Sequence, residues 1–109
     1  MKLTDLRAQF LKITSPREFS HVQTLSEAQG IIFLCPKCFE VHGGPEGTHS
    51  VICWFAGRGV PDDMDPKPGR WNPAGTGYDD LTFVEPGSVS VLLLGGCGWH
   101  GFVKNGDAT

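Results

Sequence analysis

The chain reads as an α+β fold that is mostly β: an N-terminal helix followed by a small antiparallel β-domain tied together by cysteine and histidine side chains. Three observations predict this. Apolar residues fall at helical spacing only near the start of the chain. Beyond Pro16 they gather in short runs, or alternate, between turn-forming residues. Two cysteine-containing pairs, CPKC and CGWH, stand far apart and each repeats the spacing of half a metal site.

The first element is the helix. In LTDLRAQFLKI, Leu3, Leu6, Phe10 and Ile13 share one helical face, Thr4 can cap the start, and Ser15-Pro16 ends the run. The helix is expected over residues 1–15, as a cover for a sheet or, more sharply, as a partner-binding helix. The β-domain is expected over residues 17–108, and residues 1–109 form a single domain. FSHVQTL alternates loosely and SEAQG suits a turn. GIIFLC is a strand buried on both faces, and HSVICWFAG is a second strand. A long segment follows, RGVPDDMDPKPGRWNPAGTGYDD, rich in Pro, Gly and Asp and poor in apolar anchors; a loop of that length is functional or mobile. LTFVE, SVSVLLLG and HGFVKNG complete the strands, the last running into an Asn-Gly turn.

Composition narrows the function classes. With 39% hydrophobic residues, Gly 15 and Pro 8 in 109 residues, the core is lean, and such a domain gains from a staple. A net charge of −3 and scattered basic residues argue against nucleic-acid binding, which needs a basic face. No apolar stretch is long enough to span a membrane, and charges interrupt the N-terminal apolar pattern where a signal peptide would have its apolar core. A reducing cytoplasm is the expected compartment, where a CxxC is more often a metal or redox pair than a structural disulfide.

The metal-ligating candidates are Cys35 and Cys38 of CPKC with Cys97 and His100 of CGWH. Cys3His is an ordinary structural zinc set, and two intervening residues let a tight turn aim both side chains at one ion. Pro36 and Gly98 suit such turns, and Gly95-Gly96 permits close backbone approach. An ion held this way would close a long loop, the case in which most unfolded-state entropy is removed. Other readings stand beside it: a dithiol redox pair, a disulfide, or a site in which His42 or Cys53 replaces one ligand. A redox CxxC belongs between a strand and a helix, and the glycines and proline of FEVHGGPEGTH oppose a helix there.

Cys53, inside SVICWF, suits a buried apolar position. His21 and His49 have no sequence partner. Asp62, Asp63 and Asp65 lack the spacing of a calcium loop, and Asp79 and Asp80 suit a turn. Trp99 would shield the metal knuckle. Trp71 and Asn72, on the long loop, are candidate partner-binding residues, with core anchoring the competing reading of Trp71. Catalysis finds little support: four protein ligands leave no open position on zinc, and the His-x-Glu and Pro-Cys-x-x-Cys signature of zinc deaminases is missing. An enzyme would need an open zinc with His42 or Glu40 near it.

The order FLCPKCFEVHGG, RWNPAG, LTFVEPGSVSV and CGWHGFVKNGDA resembles a family of small phage and prophage zinc-binding proteins of unknown function, many bearing an "ammonia monooxygenase" name. The resemblance covers roughly residues 30–108 and carries Cys35 and Cys38 from the first knuckle and His100 from the last; the second-knuckle cysteine, here Cys97, shifts by a position or more between relatives. EPGS stands where the family pattern has Pro-Ser. The resemblance implies a zinc-stabilised β fold in a bacterial host cytoplasm or a virion and supplies no activity; the residues themselves offer no copper or iron site suited to oxygen chemistry. The expectation is a Zn2+-stapled module that binds a protein, either a host factor or a virion component. A zinc enzyme and a nucleic-acid zinc ribbon are the alternatives.

Overall fold

The computed structural model describes residues 1–93 and 96–109. Among them the strands run β1 Gln9–Ser15, β2 Glu18–Val22, β3 Gly30–Leu34, β4 Ser50–Trp54, β5 Asn72–Ala74, β6 Thr82–Val84, β7 Ser90–Leu92, β8 His100–Lys104 and β9 Asp107–Ala108, with one helix, α1, at Pro36–His42. They form three antiparallel sheets of order β2-β1-β3-β4, β5-β6 and β7-β8-β9. The fold is α+β and mostly β, as expected.

The N-terminus corrects the expectation. Instead of a helix over residues 1–15 there is a 3₁₀ turn, Leu3–Leu6, closed by Arg7 at φ 54°, and then strand β1. Leu3 and Leu6 are buried as the apolar pattern required, but the chain then extends. Phe10 and Leu11 show why. Both are buried, on opposite faces of β1: Phe10 joins the main core, while Leu11 packs with Trp54 and Met64 in a smaller one. Over Phe10–Leu11 the strand has neighbours on both edges, β2 and β3, which offer partners for its backbone groups, and the β-branched Ile13 and Thr14 favour its extension.

β3 lies between β1 and the edge strand β4. Gly30 pairs with Trp54, and a Cβ on Gly30 would stand 2.5 Å from Trp54 Cε3, so glycine is what lets the indole lie against β3. The long segment after β4 is better anchored than its composition suggests. Arg70 donates to the carbonyls of Pro61, Met64, Pro66 and Gly69, and Trp54 Nε1 donates to Asp65 O at 2.7 Å. Met64 is buried between them, while Asp62, Asp63 and Asp65 face solvent.

Trp71 takes the core reading. It is 8% exposed, its ring lies 5.7 Å from that of Phe83, and its Nε1 donates to Ser90 O at 3.0 Å. Its backbone bridges Phe55 on one side and Ser88 on the other, which joins the β4 end of the first sheet to the start of β7. Asn72 pairs with Val84 in the β5-β6 ribbon. The pair therefore has an architectural place, and Trp71 is not an exposed loop tip. The Asn-Gly turn forms as read, with Asn105 and Gly106 at φ 51° and 77°, and it delivers β9 back onto β8. The far end of SVSVLLLG, Leu94 and Gly95, lies outside the described residues.

Candidate metal centre

Two strand pairings place the ligands. β3 and β4 are antiparallel, and their ladder continues one residue beyond: Cys35 N–H donates to His49 O at 2.9 Å. Cys35 thus stands opposite His49. Cys35 is also the N-cap of α1, with Pro36 in its first turn, and the helix brings Cys38 around to the same side. On the other sheet the β7-β8 pairing continues to a bond from Leu93 N–H to Trp99 O at 2.9 Å, leaving Cys97 in the connecting turn. Gly96 and Gly98 flank it at φ 60° and 67°, a backbone state L-residues seldom adopt. Trp99 is buried and meets Phe33 of β3 edge-on at 6.1 Å, which holds this turn against the strand leading to Cys35.

The result is one cluster. Single ligand atoms of Cys35, Cys38, His49 and Cys97 all lie within 4.8 Å of one another. Cys35 Sγ is 3.6 Å from Cys97 Sγ across 62 positions of sequence, and His49 Nε2 is 3.3 Å from Cys97 Sγ. The sulfurs are too far apart for a disulfide, whose bond is about 2.05 Å, and all four cysteines are free thiols. The separations do fit a tetrahedral ion. Metal–sulfur bonds of about 2.3 Å and metal–nitrogen bonds of about 2.0 Å put sulfurs about 3.8 Å apart and sulfur about 3.5 Å from nitrogen. The cluster can therefore hold a metal ion.

Its electrostatics point the same way. Burial pushes the Cys35 thiol up, against backbone N–H groups of Cys38 and Lys37 that favour its thiolate. Partial burial, with a hydrogen bond shared with Cys97, pushes Cys38 up to about 11. The His49 imidazole pulls Cys97 down to about 6. One thiolate is thus easy to form, whereas a second and third beside it are costly until a cation joins them. Lys37 Nζ adds a strut across the cluster, donating to Cys97 O at 2.8 Å.

The expected ligand set is corrected at one position. Cys35, Cys38 and Cys97 come together, but His49 stands where His100 was expected. His100 opens β8 rather than continuing the knuckle, and the strand alternates, with Trp99 and Gly101 facing in and His100 exposed beside the Phe102 ring at 6.1 Å. A signal for His49 was present: pairing GIIFLC with HSVICW antiparallel sets His49 across from Cys35. The helix reading also needs correction. FEVH continues α1 after Cys38, and only Gly43, at φ 70°, ends it. His42 and Glu40 sit on that helix, exposed and outside the cluster. Gly95, expected to ease backbone approach, lies outside the described residues. Cys53 is buried on β4 as expected, and burial raises its thiol far above the usual range.

No helix is long and apolar enough to cross a membrane among the described residues. No family model, curated protein or solved structure matches the chain.

Proposed function

We propose that the chain is a structural-zinc module that acts by binding a protein partner. The observation that carries the metal half is the convergence of three thiols and an imidazole drawn from two different sheets. Three sulfurs and one nitrogen suit Zn2+, and as thiolates they would fill its tetrahedron. When bound, the ion supplies a crosslink: Cys35, Cys38 and His49 hold it on the β3-α1-β4 side and Cys97 on the β7-β8 side. A filled, thiolate-rich set leaves neither an open position nor much Lewis acidity, which supports a binding role over hydrolysis. The resemblance to phage and prophage proteins supports a host-factor or virion partner in a bacterial cytoplasm. The net charge of −3 speaks against a nucleic-acid one.

A second reading has a specific observation behind it. CPKC does sit between strand β3 and helix α1, the setting of redox dithiols. Against it, the surrounding strands are antiparallel, and a third thiol and an imidazole share the site. Native mass spectrometry of chain purified without added metal separates the two. The zinc reading expects one zinc per chain, whose removal by a strong chelator unfolds the domain. A metal-free mass lighter by two protons would establish the redox pair instead.

A further inference from the structure

Beside the metal cluster runs a groove of about 660 Å³. β4 and β7 contribute its walls, Pro66–Gly69 one side, and Trp71 part of its floor. Both strands are outermost in their sheets. Outer strands carry unpaired backbone groups, and the hydrogen-bond phase tells which.

On β4, the pairs Cys35/His49 and Gln29/Phe55 are hydrogen-bonded, at 2.9 and 2.8 Å. An antiparallel ladder alternates, so Val51 and Cys53 face β3, and Ser50, Ile52 and Trp54 turn their N–H and C=O groups outward. Trp71 N–H takes the outward carbonyl of Trp54 at 3.0 Å. Among the described residues, nothing takes the groups of Ile52. The chain's own loop does not complete the edge for a chemical reason. The parallel bridge Phe55/Trp71 would set Pro68 opposite Ile52, and proline has no N–H to give. On β7 the Leu93–Trp99 bond fixes the same alternation, so Ser90 and Leu92 point away from β8. The Ser90 carbonyl is taken by the Trp71 indole at 3.0 Å, while among the described residues nothing takes the backbone groups of Leu92, whose side chain is half-exposed.

We propose that this groove binds an extended peptide by strand addition to β4, a proposal that rests on the protein-binding reading above and gives it a site and a partner chemistry. The open edge at Ile52 requires a ligand with backbone donors and acceptors at strand spacing. The apolar lining of Trp71, Val91 and Leu93 favours apolar side chains at alternate positions of the peptide. Lys67 lines the groove and, among the described residues, no carboxylate does, so the peptide carries an acidic residue.

The test uses the zinc-loaded, isotope-labelled chain and capped hexapeptides that begin with aspartate and then alternate valine, leucine or phenylalanine with threonine. Amide NMR should show the largest shifts at Ser50 and Ile52, with smaller ones at Leu92. Methylating the peptide nitrogen that faces the Ile52 carbonyl removes one hydrogen bond, the Ser50 carbonyl being met already by His49 Nδ1 at 3.4 Å, and should weaken binding about fivefold. Lys67→Glu should weaken it about two- to fivefold and leave the free chain's spectrum otherwise unchanged. Silence at Ile52 up to about 1 mM peptide would overturn the proposal. Equal binding of the methylated peptides, or a dimer paired edge to edge through β4 that excludes peptide, would do the same. Zinc content of the same sample keeps the two readings apart. Lost peptide binding with zinc retained condemns the groove alone, and peptide binding without zinc condemns the metal centre alone.

Discussion

The β3-α1-β4 unit and the β7-β8 turn contribute to the cluster unequally. The first supplies three ligand residues, Cys35, Cys38 and His49, from one local unit in which a helix turn and a strand pairing set their positions. The second supplies only Cys97, held in place by flanking glycines and by Trp99 against Phe33. A local unit fixes its ligands at little loop-closure cost, while Cys97 must be brought back across 62 positions from Cys35. The difference assigns the roles: the local unit grips the ion, and the distant thiol turns that grip into a tie between sheets.

Substitutions can break this division in order of size. Cys35→Ser removes the buried ligand on which both sides converge. It should abolish zinc retention and cooperative folding, since structural zinc contributes on the order of 10 kcal/mol; the check is zinc content and the thermal transition. Cys97→Ser should instead leave weaker zinc on the three-ligand unit while the tie is lost, and zinc titration separates these two outcomes. Trp99→Ala tests whether packing, rather than the ion, positions the distant thiol. It should cost about 3–5 kcal/mol in denaturant unfolding even with zinc bound; an unchanged midpoint would show that the metal alone holds the turn.

His49→Ala should weaken zinc about a hundredfold or more, roughly 3 kcal/mol in a competitive chelator titration, whereas His100→Ala should leave affinity unchanged and shift stability by less than about 0.5 kcal/mol. The reverse ranking would restore the CGWH knuckle. Lys37→Ala removes an exposed strut between the two sides and should cost about 0.5–1.5 kcal/mol of stability at most, read from the same unfolding curves.

What could be read from the chain divides along similar lines. Cys35 and Cys38 were legible because their chemistry and spacing are local, and the strands around Ile31 and Val51 because buried runs bounded by turn residues are distinctive. Asn105-Gly106 announced its turn through the backbone conformation it requires. His49 was missed because it has no ligand neighbour in sequence; only the register of β3 on β4 sets it beside Cys35. The N-terminal strand was missed because Leu3, Leu6, Phe10 and Ile13 also fit a helix, and the burial of Leu11 on the opposite face becomes evident only with the second core. Trp71 sits in a polar, proline-rich segment whose order comes from Arg70 gathering four carbonyls, a long-range arrangement that local composition does not display.

The central claim is the ligand set, and a cadmium–proton NMR correlation on the cadmium-loaded chain reads it directly. Couplings from one cadmium to the β-protons of Cys35, Cys38 and Cys97 and to the ring protons of His49 are the predicted result. A coupling to the His100 ring in place of His49, or a chain that binds no cadmium with its thiols reduced, would contradict it.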